Sequence, residues 1–386
     1  MGTDTEISGS VAPGYEPIRA AFEENITARG EVGAAVSVWH RGREVASLAG
    51  GVVAPDGAPY GLDTLQLVFS TTKGATAICL GMCVERGLVD LDAPVSRYWP
   101  EFAANGKDGI TVAVLMGHRS GLPTIDATLG LTDALDWDTI TKHLAAQAPM
   151  WEPGTAHGYH ALTYGWLAGE IVRRVDGRSL GTFFRDEVAK PLGLDFHIGL
   201  PEALEALVSP IIPAPPPPPA IEALMAQMMG PDTLGGRALG LNGAFSATEG
   251  TFNRRDVHAA EIPAANGITN ASSLAKMYAA CVGEVDGVRL LSPGYVERAR
   301  TTQTSGTDKC LLVESRFGIG FMTPGSFATL LGAGSFGHPG AGGSLGCALP
   351  EQELALGYVM NQMQMNLAED PRVKALTDAA LACVRA

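Results

Sequence analysis

Ser70-Thr71-Thr72-Lys73 joins an apolar run with the character of a strand, residues 65–69, to a helical pattern over residues 74–84. A serine three residues before a lysine at the start of a helix places both side chains on one face, one turn apart. The lysine can then hold the serine hydroxyl and help to take its proton, which makes the serine a nucleophile. The alternative is an N-cap serine beside a solvated lysine, because serine is a favoured cap residue. Two later segments of the chain favour the nucleophile.

A tyrosine is the second candidate group. Tyr159 lies in Gly158-Tyr159-His160-Ala161, on a predicted loop just before a helical pattern that begins near residue 164. A lysine ammonium beside a tyrosine lowers the pKa of the phenol, since the positive charge favours phenolate. Tyr159 could then act as the base for the serine hydroxyl. The alternative is a half-buried structural tyrosine.

A glycine-rich segment is the third candidate element. It contains Gly337-His338-Pro339-Gly340-Ala341 and leads into a strand pattern near the end of the chain. Glycines at such a place let a backbone approach a ligand closely. An exposed strand edge can also donate one backbone N–H to a developing oxyanion, with the N–H of Ser70 as the other donor. Taken alone, the segment is also compatible with a simple turn.

Strand patterns occur near both ends of the chain, and helical patterns lie between them. Helices are predicted over residues 15–30, from 70 to a C-cap at Gly87, and over 164–175, 179–189, 220–229, 272–282 and 370–385. Strands are predicted over residues 34–39, 44–48, 317–322, 343–348 and 354–361. Both chain ends would then build one sheet, with the helical part inserted in it. An active-site cleft would lie between the sheet and the helices. The proline-rich residues 213–219 are predicted to form a stiff polyproline II stretch, either a surface spacer or a wall beside that cleft.

Composition excludes several classes of protein. Apolar residues make up 46% and charged residues 18% of the chain, which is typical of a soluble globular protein. The net charge of −14 argues against nucleic acid and anionic membranes as partners. The acidic start of the chain lacks the apolar core of a signal peptide. The six cysteines form no C-x-x-C pair, so we expect a reduced protein without disulfides in the cytoplasm. No motif for a cofactor or a metal is present.

A second serine motif is excluded by the order of residues along the chain. Gly342-Gly343-Ser344-Leu345-Gly346 matches G-x-S-x-G, the nucleophile turn of another hydrolase class. That class needs an acidic residue and then a histidine after the serine. All eight histidines lie at or before His338, so Ser344 has no such partner.

The three candidate elements, in this order, resemble the serine β-lactamase and penicillin-binding-protein superfamily. The resemblance is greatest to class C β-lactamases and their esterase relatives, the family VIII carboxylesterases. Ser70-Thr71-Thr72-Lys73 matches S-x-x-K, Tyr159-His160-Ala161 takes the place of Y-x-N, and His338-Pro339-Gly340 takes the place of K-T-G. Segments 117–122 and 190–194 resemble two further stretches of the family. The resemblance covers about residues 15–385.

The resemblance implies an α+β fold with an antiparallel sheet, a large helical insertion and one domain over residues 1–386. Its sheet subdomain would span about residues 15–69 and 316–386, and its helical subdomain about 70–315. Ser70 would form the acyl-enzyme, a hydrogen-bonded Lys73–Tyr159 pair would be the general base, and the N–H groups of Ser70 and Ala341 would hold the oxyanion. No cofactor and no metal are implied.

Departures from the family pattern bear on the substrate. The asparagine of Y-x-N is Ala161 here, and the lysine of K-T-G is His338. Both changes remove groups that hold a β-lactam, so we expect hydrolysis of small to medium uncharged esters, with His338, Gly340 and His160 in contact with the substrate. The alternatives are a β-lactamase, a D-alanyl-D-alanine peptidase or an acyltransferase of the same fold. A non-catalytic scaffold is disfavoured because all three catalytic side chains are present.

Overall fold

Strands from both ends of the chain form one antiparallel sheet of six strands. The computed structural model describes residues 7–54, 57–246, 250–325, 327–365 and 369–385. The strands of the whole described chain are β1 (Ile7–Val11), β2 (Gly33–His40), β3 (Arg43–Gly51), β4 (Leu65–Leu67), β5 (Phe196–His197), β6 (Val208–Ser209), β7 (Ile268–Thr269), β8 (Thr304–Thr307), β9 (Glu314–Phe317), β10 (Phe336–Pro339), β11 (Leu345–Leu349) and β12 (Leu354–Met360). The main sheet has the order β1-β3-β2-β12-β11-β10, so β2 from the first part of the chain pairs directly with β12 from the last.

The helices lie between these strands in sequence and at the C-terminal end. They are α1 (Glu16–Ala28), α2 (Thr72–Glu85), α3 (Val112–Met116), α4 (Leu131–Ala134), α5 (Trp137–Ala146), α6 (Thr163–Asp176), α7 (Leu180–Phe184), α8 (Lys190–Leu192), α9 (Pro219–Met229), α10 (Leu234–Gly240), α11 (Arg255–Ala259), α12 (Ala271–Val282), α13 (Pro293–Arg300) and α14 (Pro371–Arg385). The predicted α+β class, with helices inserted between strands of one antiparallel sheet, is confirmed.

Both faces of the main sheet are covered by helices. Alternate residues of a strand point to opposite faces. Val36 and Val38 of β2 belong to the apolar cluster that contains Ile18 of α1 and Leu376 of α14. Ala35, on the other face of β2, belongs to the cluster that contains residues of α2, α6 and α12. Burial on both faces explains why β2 and β12 are almost continuously apolar in sequence.

The predicted set of strands needs three corrections. The short strand β1 is missing from the prediction, because Ile7–Val11 has three glycine or serine residues against two apolar ones and gives little pattern. The strand over residues 65–69 is β4, which belongs to a separate small sheet of order β5-β7-β4-β6 rather than to the main sheet. The strand over 317–322 is wrong, since β9 ends at Phe317 and pairs with β8 in a two-stranded hairpin.

The proline-rich stretch leads into α9, in which no residue is fully buried. Within the described part of the chain, no residue from 213 to 229 lines the cavity discussed below. This placement favours the surface spacer over the wall.

Candidate active site

A strained turn presents Ser70 at the junction of β4 and α2. Phe69 has a φ of 43°, in the left-handed region that residues with a side chain rarely adopt. Such a conformation costs on the order of 1–3 kcal/mol, so the surroundings must enforce it. The Phe69 ring packs edge-on against Phe252, with 5.0 Å between ring centroids. The turn continues as a single 3₁₀ turn over Phe69–Thr71 and then as α2, which puts Ser70 and Lys73 on one helical face.

Lys73 is fully buried and makes three polar contacts. Its Nζ lies 3.1 Å from Ser70 Oγ and donates to the carbonyl oxygens of Ala161, at 2.6 Å, and Ala264, at 2.9 Å. Burial lowers the pKa of Lys73 well below its usual value, because the charged form loses hydration. A neutral amine has two hydrogens and one lone pair. The two hydrogens fit the two carbonyl groups, and the lone pair is left for the Ser70 hydroxyl.

Tyr159 is also buried, with its ring held between other aromatic rings. It stacks on Phe317 at 6.0 Å and on His338 at 5.9 Å, and Lys73 Nζ lies 4.7 Å from the ring centroid. Burial raises the pKa of Tyr159 above its usual value, although a hydrogen bond with Ser70 acts in the opposite direction. The expected lowering of this pKa by Lys73 is therefore wrong. Desolvation of the phenolate dominates. Lys73 offers little positive charge to oppose it, because burial lowers the pKa of its amine and so favours the neutral form.

The predicted direct hydrogen bond between Lys73 and Tyr159 also needs correction. The three polar contacts of Lys73 go to Ser70 and to two carbonyl oxygens, so its amine meets Tyr159 over the ring face. The Tyr159 hydroxyl instead interacts with the Ser70 hydroxyl. The Ser70 hydroxyl thus interacts with both groups.

The end of β10 lies tightly against the Ser70 turn. A Cβ atom added at Gly340 would lie 2.1 Å from Ser344 Oγ and 2.3 Å from the Val68 carbonyl oxygen. The hydroxyl of Ser344 donates to that same Val68 oxygen at 2.9 Å and lies 3.1 Å from Thr71 Oγ1. Ser344 therefore joins β11 to the turn that carries Ser70, which is a structural contact and agrees with its exclusion as a nucleophile.

Because this contact tolerates no side chain, Gly340→Ala should lower kcat/KM for an ester at least about tenfold. The new methyl group must push β10 away from Val68, and a displacement of about 1 Å at a catalytic centre can cost 10²-fold. Gly109→Ala is the matched control, since a Cβ there meets no atom within 4 Å. Steady-state kinetics of the two variants checks this expectation, and equal activity would show that the close approach has no role.

Ser70 and Tyr159 face a cavity of about 300 Å³. Its wall includes His338 and the glycine-rich residues 340–343, so the predicted contacts His338, Gly340 and Ala341 lie on the same cavity as Ser70. Its apolar lining is formed by Leu239, Leu311, Met322, Phe327, Ala328, Leu330, Met365 and Val373. The charged residues among the lining side chains that the structure describes are both acidic, Glu369 and Asp370.

His338, one of the residues that line this cavity, has one ring nitrogen without a hydrogen-bond partner among the described residues. Its Nδ1 lies 2.7 Å from the Pro339 carbonyl oxygen and must donate, because a carbonyl only accepts. Its buried Nε2 then carries a lone pair and has no hydrogen-bond partner among the described residues. Burial, with a smaller contribution from Lys73, lowers the pKa of His338 to about 3, so the ring is neutral at pH 7. A neutral acceptor stands where the family motif has a cation.

His160 does not reach the cavity, although it was expected to contact the substrate. Its Nδ1 donates to the Gly158 carbonyl oxygen at 2.6 Å. Its Nε2 accepts from Leu122 N–H at 3.2 Å and lies 2.8 Å from Ser120 Oγ. Both ring nitrogens are used within the protein, so this geometry favours a structural role.

Two residues that sequence reasoning missed also support the site. Arg372, fully buried at the start of α14, donates to the Gly342 carbonyl oxygen at 2.5 Å and pairs with Glu31 at 3.1 Å and Asp370 at 2.7 Å. It thereby fixes the glycine-rich turn. Asp308 accepts the Tyr159 N–H at 2.9 Å. Neither residue lies in a local pattern that could have revealed it.

The described residues contain no group of three or more His, Cys, Asp or Glu side chains arranged to hold a metal ion. In the same ranges, no helix is long and apolar enough to cross a membrane.

Comparison with known proteins agrees with this geometry. The family model described as Beta-lactamase matches residues 18–379. The chain is 35% identical over 367 residues to the esterase/beta-lactamase LipL of Mycobacterium tuberculosis, a match that covers 92% of this chain and 83% of LipL. The solved structure of a family VIII carboxylesterase is 37% identical, with a TM-score of 0.88 and coverage of 98% of this chain and 100% of that one. A penicillin-binding protein homologue from Caulobacter crescentus is 34% identical, with a TM-score of 0.84 and coverage of 98% and 100%. The resemblance carried by the motifs is thus confirmed, and the chain belongs to the β-lactamase family of serine hydrolases.

Proposed function

We propose that this protein hydrolyses small to medium uncharged carboxylic esters through an acyl-enzyme on Ser70. The observation that carries the proposal is the placement of Ser70 Oγ, 3.1 Å from an amine whose other two contacts are backbone carbonyl oxygens. That environment favours a neutral amine, which is the form able to accept a proton.

In the first step, Lys73 Nζ takes the proton of the Ser70 hydroxyl as Oγ attacks the ester carbonyl carbon. The carbonyl oxygen becomes an oxyanion, held by the N–H groups of Ser70 and Ala341. Tyr159, a neutral phenol that interacts with the Ser70 hydroxyl, donates its proton to the leaving alkoxide, and the proton held by Lys73 then returns to the phenolate. Water then attacks the acyl-enzyme along the same route, which releases the acid and restores the Ser70 hydroxyl.

The cavity supports an uncharged ester as the substrate. Its apolar wall suits an alkyl chain, and its acidic residues Glu369 and Asp370 would repel a carboxylate such as that of a β-lactam. Asp370 is paired with Arg372, whereas Glu369 takes part in none of the ion pairs within the described residues. We therefore assign the repulsion to Glu369. A cytoplasmic location completes the proposal and is supported by six cysteines that are all unpaired.

The main alternative is β-lactam hydrolysis, because the relative LipL carries both activities in its name. The expected result is a kcat/KM for p-nitrophenyl butyrate at least about 10²-fold above that for a chromogenic cephalosporin. Two polar substrate groups left without partners cost about 1–3 kcal/mol each. A higher kcat/KM for the cephalosporin would replace the esterase proposal with a lactamase. Ester cleavage that yields a new ester when an alcohol is added would instead identify an acyltransferase.

The charge of the cavity can be tested with two esters that share one chromophore. The anionic mono-p-nitrophenyl glutarate should react more slowly than p-nitrophenyl butyrate, and Glu369→Gln should raise its kcat/KM about fivefold, equivalent to ~1 kcal/mol between charges in a wet site. Asp378→Asn makes the same change in net charge on the exposed side of α14 and should leave both rates unchanged. Equal effects of the two substitutions would show that Glu369 does not select the substrate.

A further inference from the structure

Three consecutive backbone N–H groups around Tyr159 donate hydrogen bonds to two distant residues, His118 and Asp308. Residues 156–160 belong to neither a helix nor a strand. The N–H of Gly158 donates to the His118 carbonyl oxygen at 3.2 Å, and the N–H of His160 donates to His118 Nδ1 at 3.1 Å. Between them, the N–H of Tyr159 donates to Asp308 Oδ1 at 2.9 Å. The position of the tyrosine therefore depends on contacts from distant parts of the chain.

Asp308 is built into the protein as a rigid acceptor. Its side chain is fully buried, and Oδ1 also accepts the N–H groups of Cys310 at 2.8 Å and Leu311 at 3.0 Å. Its other oxygen accepts the Ser315 hydroxyl at 3.0 Å. A buried carboxylate is costly unless it is hydrogen-bonded, and these four donors supply that compensation. The carboxylate cannot rotate away from Tyr159 without losing them.

The same hairpin supports the ring of Tyr159. Asp308 follows β8, and β9 carries Ser315 and Phe317. The Phe317 ring is stacked on Tyr159 with only 11° between the ring planes. One hairpin thus fixes both the backbone and the ring plane of the tyrosine that faces Ser70.

We propose that Asp308 is a positioning residue for Tyr159, acting on proton transfer through the tyrosine without contact with the substrate. The inference rests on the proposed function, since it requires Tyr159 to serve the acylation step. Asp308 is absent from the described lining of the cavity, so its loss should change kcat and leave KM nearly unchanged. It also places a negative charge near the phenol, which favours the neutral, proton-donating form.

A graded pair of substitutions tests this role with p-nitrophenyl butyrate. Asp308→Ala removes the acceptor and should lower kcat about 10²-fold, the loss expected for a small displacement of a catalytic group. Asp308→Asn keeps an oxygen for the Tyr159 N–H but lacks the charge, so kcat should fall only about three- to tenfold below the wild type. KM should stay within about threefold in both. The control Ser315→Ala leaves the contact with Tyr159 in place and should stay within about threefold in kcat.

A double-mutant cycle separates positioning from a general loss of structure. In a Tyr159→Phe background, Asp308→Asn should change kcat less than about twofold, because the group that it positions is already gone. Full additivity of the two losses, or wild-type kcat in Asp308→Asn, would overturn the proposal. If circular dichroism shows that Asp308→Ala does not fold, Asp308→Asn and the double-mutant cycle still test the positioning role. Normal activity of Tyr159→Phe alone would instead contradict the proposed mechanism.

Discussion

Ser70→Ala should lower kcat for p-nitrophenyl butyrate by about 10³-fold or more, with little change in stability. Removing a nucleophile leaves only the contribution of binding and of the oxyanion donors. The substitution deletes one oxygen at the cavity wall and keeps the apolar core around α2 intact. Stopped assays at high enzyme concentration measure the residual rate, and thermal unfolding checks the fold.

Ser344→Ala is the matched control for this loss. The Ser344 hydroxyl is also within the cavity lining, but it is fully buried and bonded to the Val68 carbonyl oxygen. Its loss should cost about 1 kcal/mol of stability and leave substantial activity. The reverse pattern, with an active Ser70→Ala and an inactive Ser344→Ala, would transfer the nucleophile to the G-x-S-x-G motif.

Lys73→Met should also lower kcat/KM by about 10³-fold, because general base catalysis of this kind contributes about 10²–10⁴-fold. The pH profile of the wild type follows from the direction of the pKa shift. Since burial lowers the pKa of Lys73, the amine is protonated and inactive at low pH and becomes an acceptor as pH rises through that lowered pKa. The rate of acylation should therefore increase with pH and reach a plateau below pH 10.

The residual activity of Lys73→Met should lack this rising limb. Tyr159→Phe should keep the limb at a much lower rate, because the amine is still present. The double variant should be little worse than either single variant, since groups that act on one proton path are strongly non-additive. A limb that persists in Lys73→Met would assign the titration to another group, and cleanly additive losses would argue against one shared path.

Local sequence predicted those parts of the site that depend on local geometry. Ser70 lies on the 3₁₀ turn that leads into α2, and Lys73 lies three residues later in the first turn of α2, so their proximity follows from helical spacing alone. The roles of Tyr159 and the glycine-rich strand end were suggested by the order of motifs, and the structure places both on the cavity that contains Ser70. The broad fold could be predicted because β2 and β12 are nearly continuous apolar runs and long helices such as α6 and α14 carry one apolar face.

The electrostatic state of the site could not be predicted, because it depends on burial. The raised pKa of Tyr159 comes from a ring enclosed by Phe317 and His338, which are distant in sequence. The contact between Asp308 and Tyr159 joins residues 149 positions apart, and the contact between Arg372 and Glu31 joins residues 341 positions apart. His160 illustrates a related limit, since its neighbour faces Ser70 while its own ring is bonded inside the protein.

The most direct test of the account is the location of the covalent intermediate. Wild-type protein is mixed with excess p-nitrophenyl butyrate and quenched in acid within milliseconds, and peptides are then analysed by tandem mass spectrometry. The proposed mechanism predicts a butyryl group on the peptide that contains Ser70, at the Ser70 oxygen, and none in Ser70→Ala. A butyryl group on Ser344, or a burst of p-nitrophenol without any acylated peptide, would contradict it.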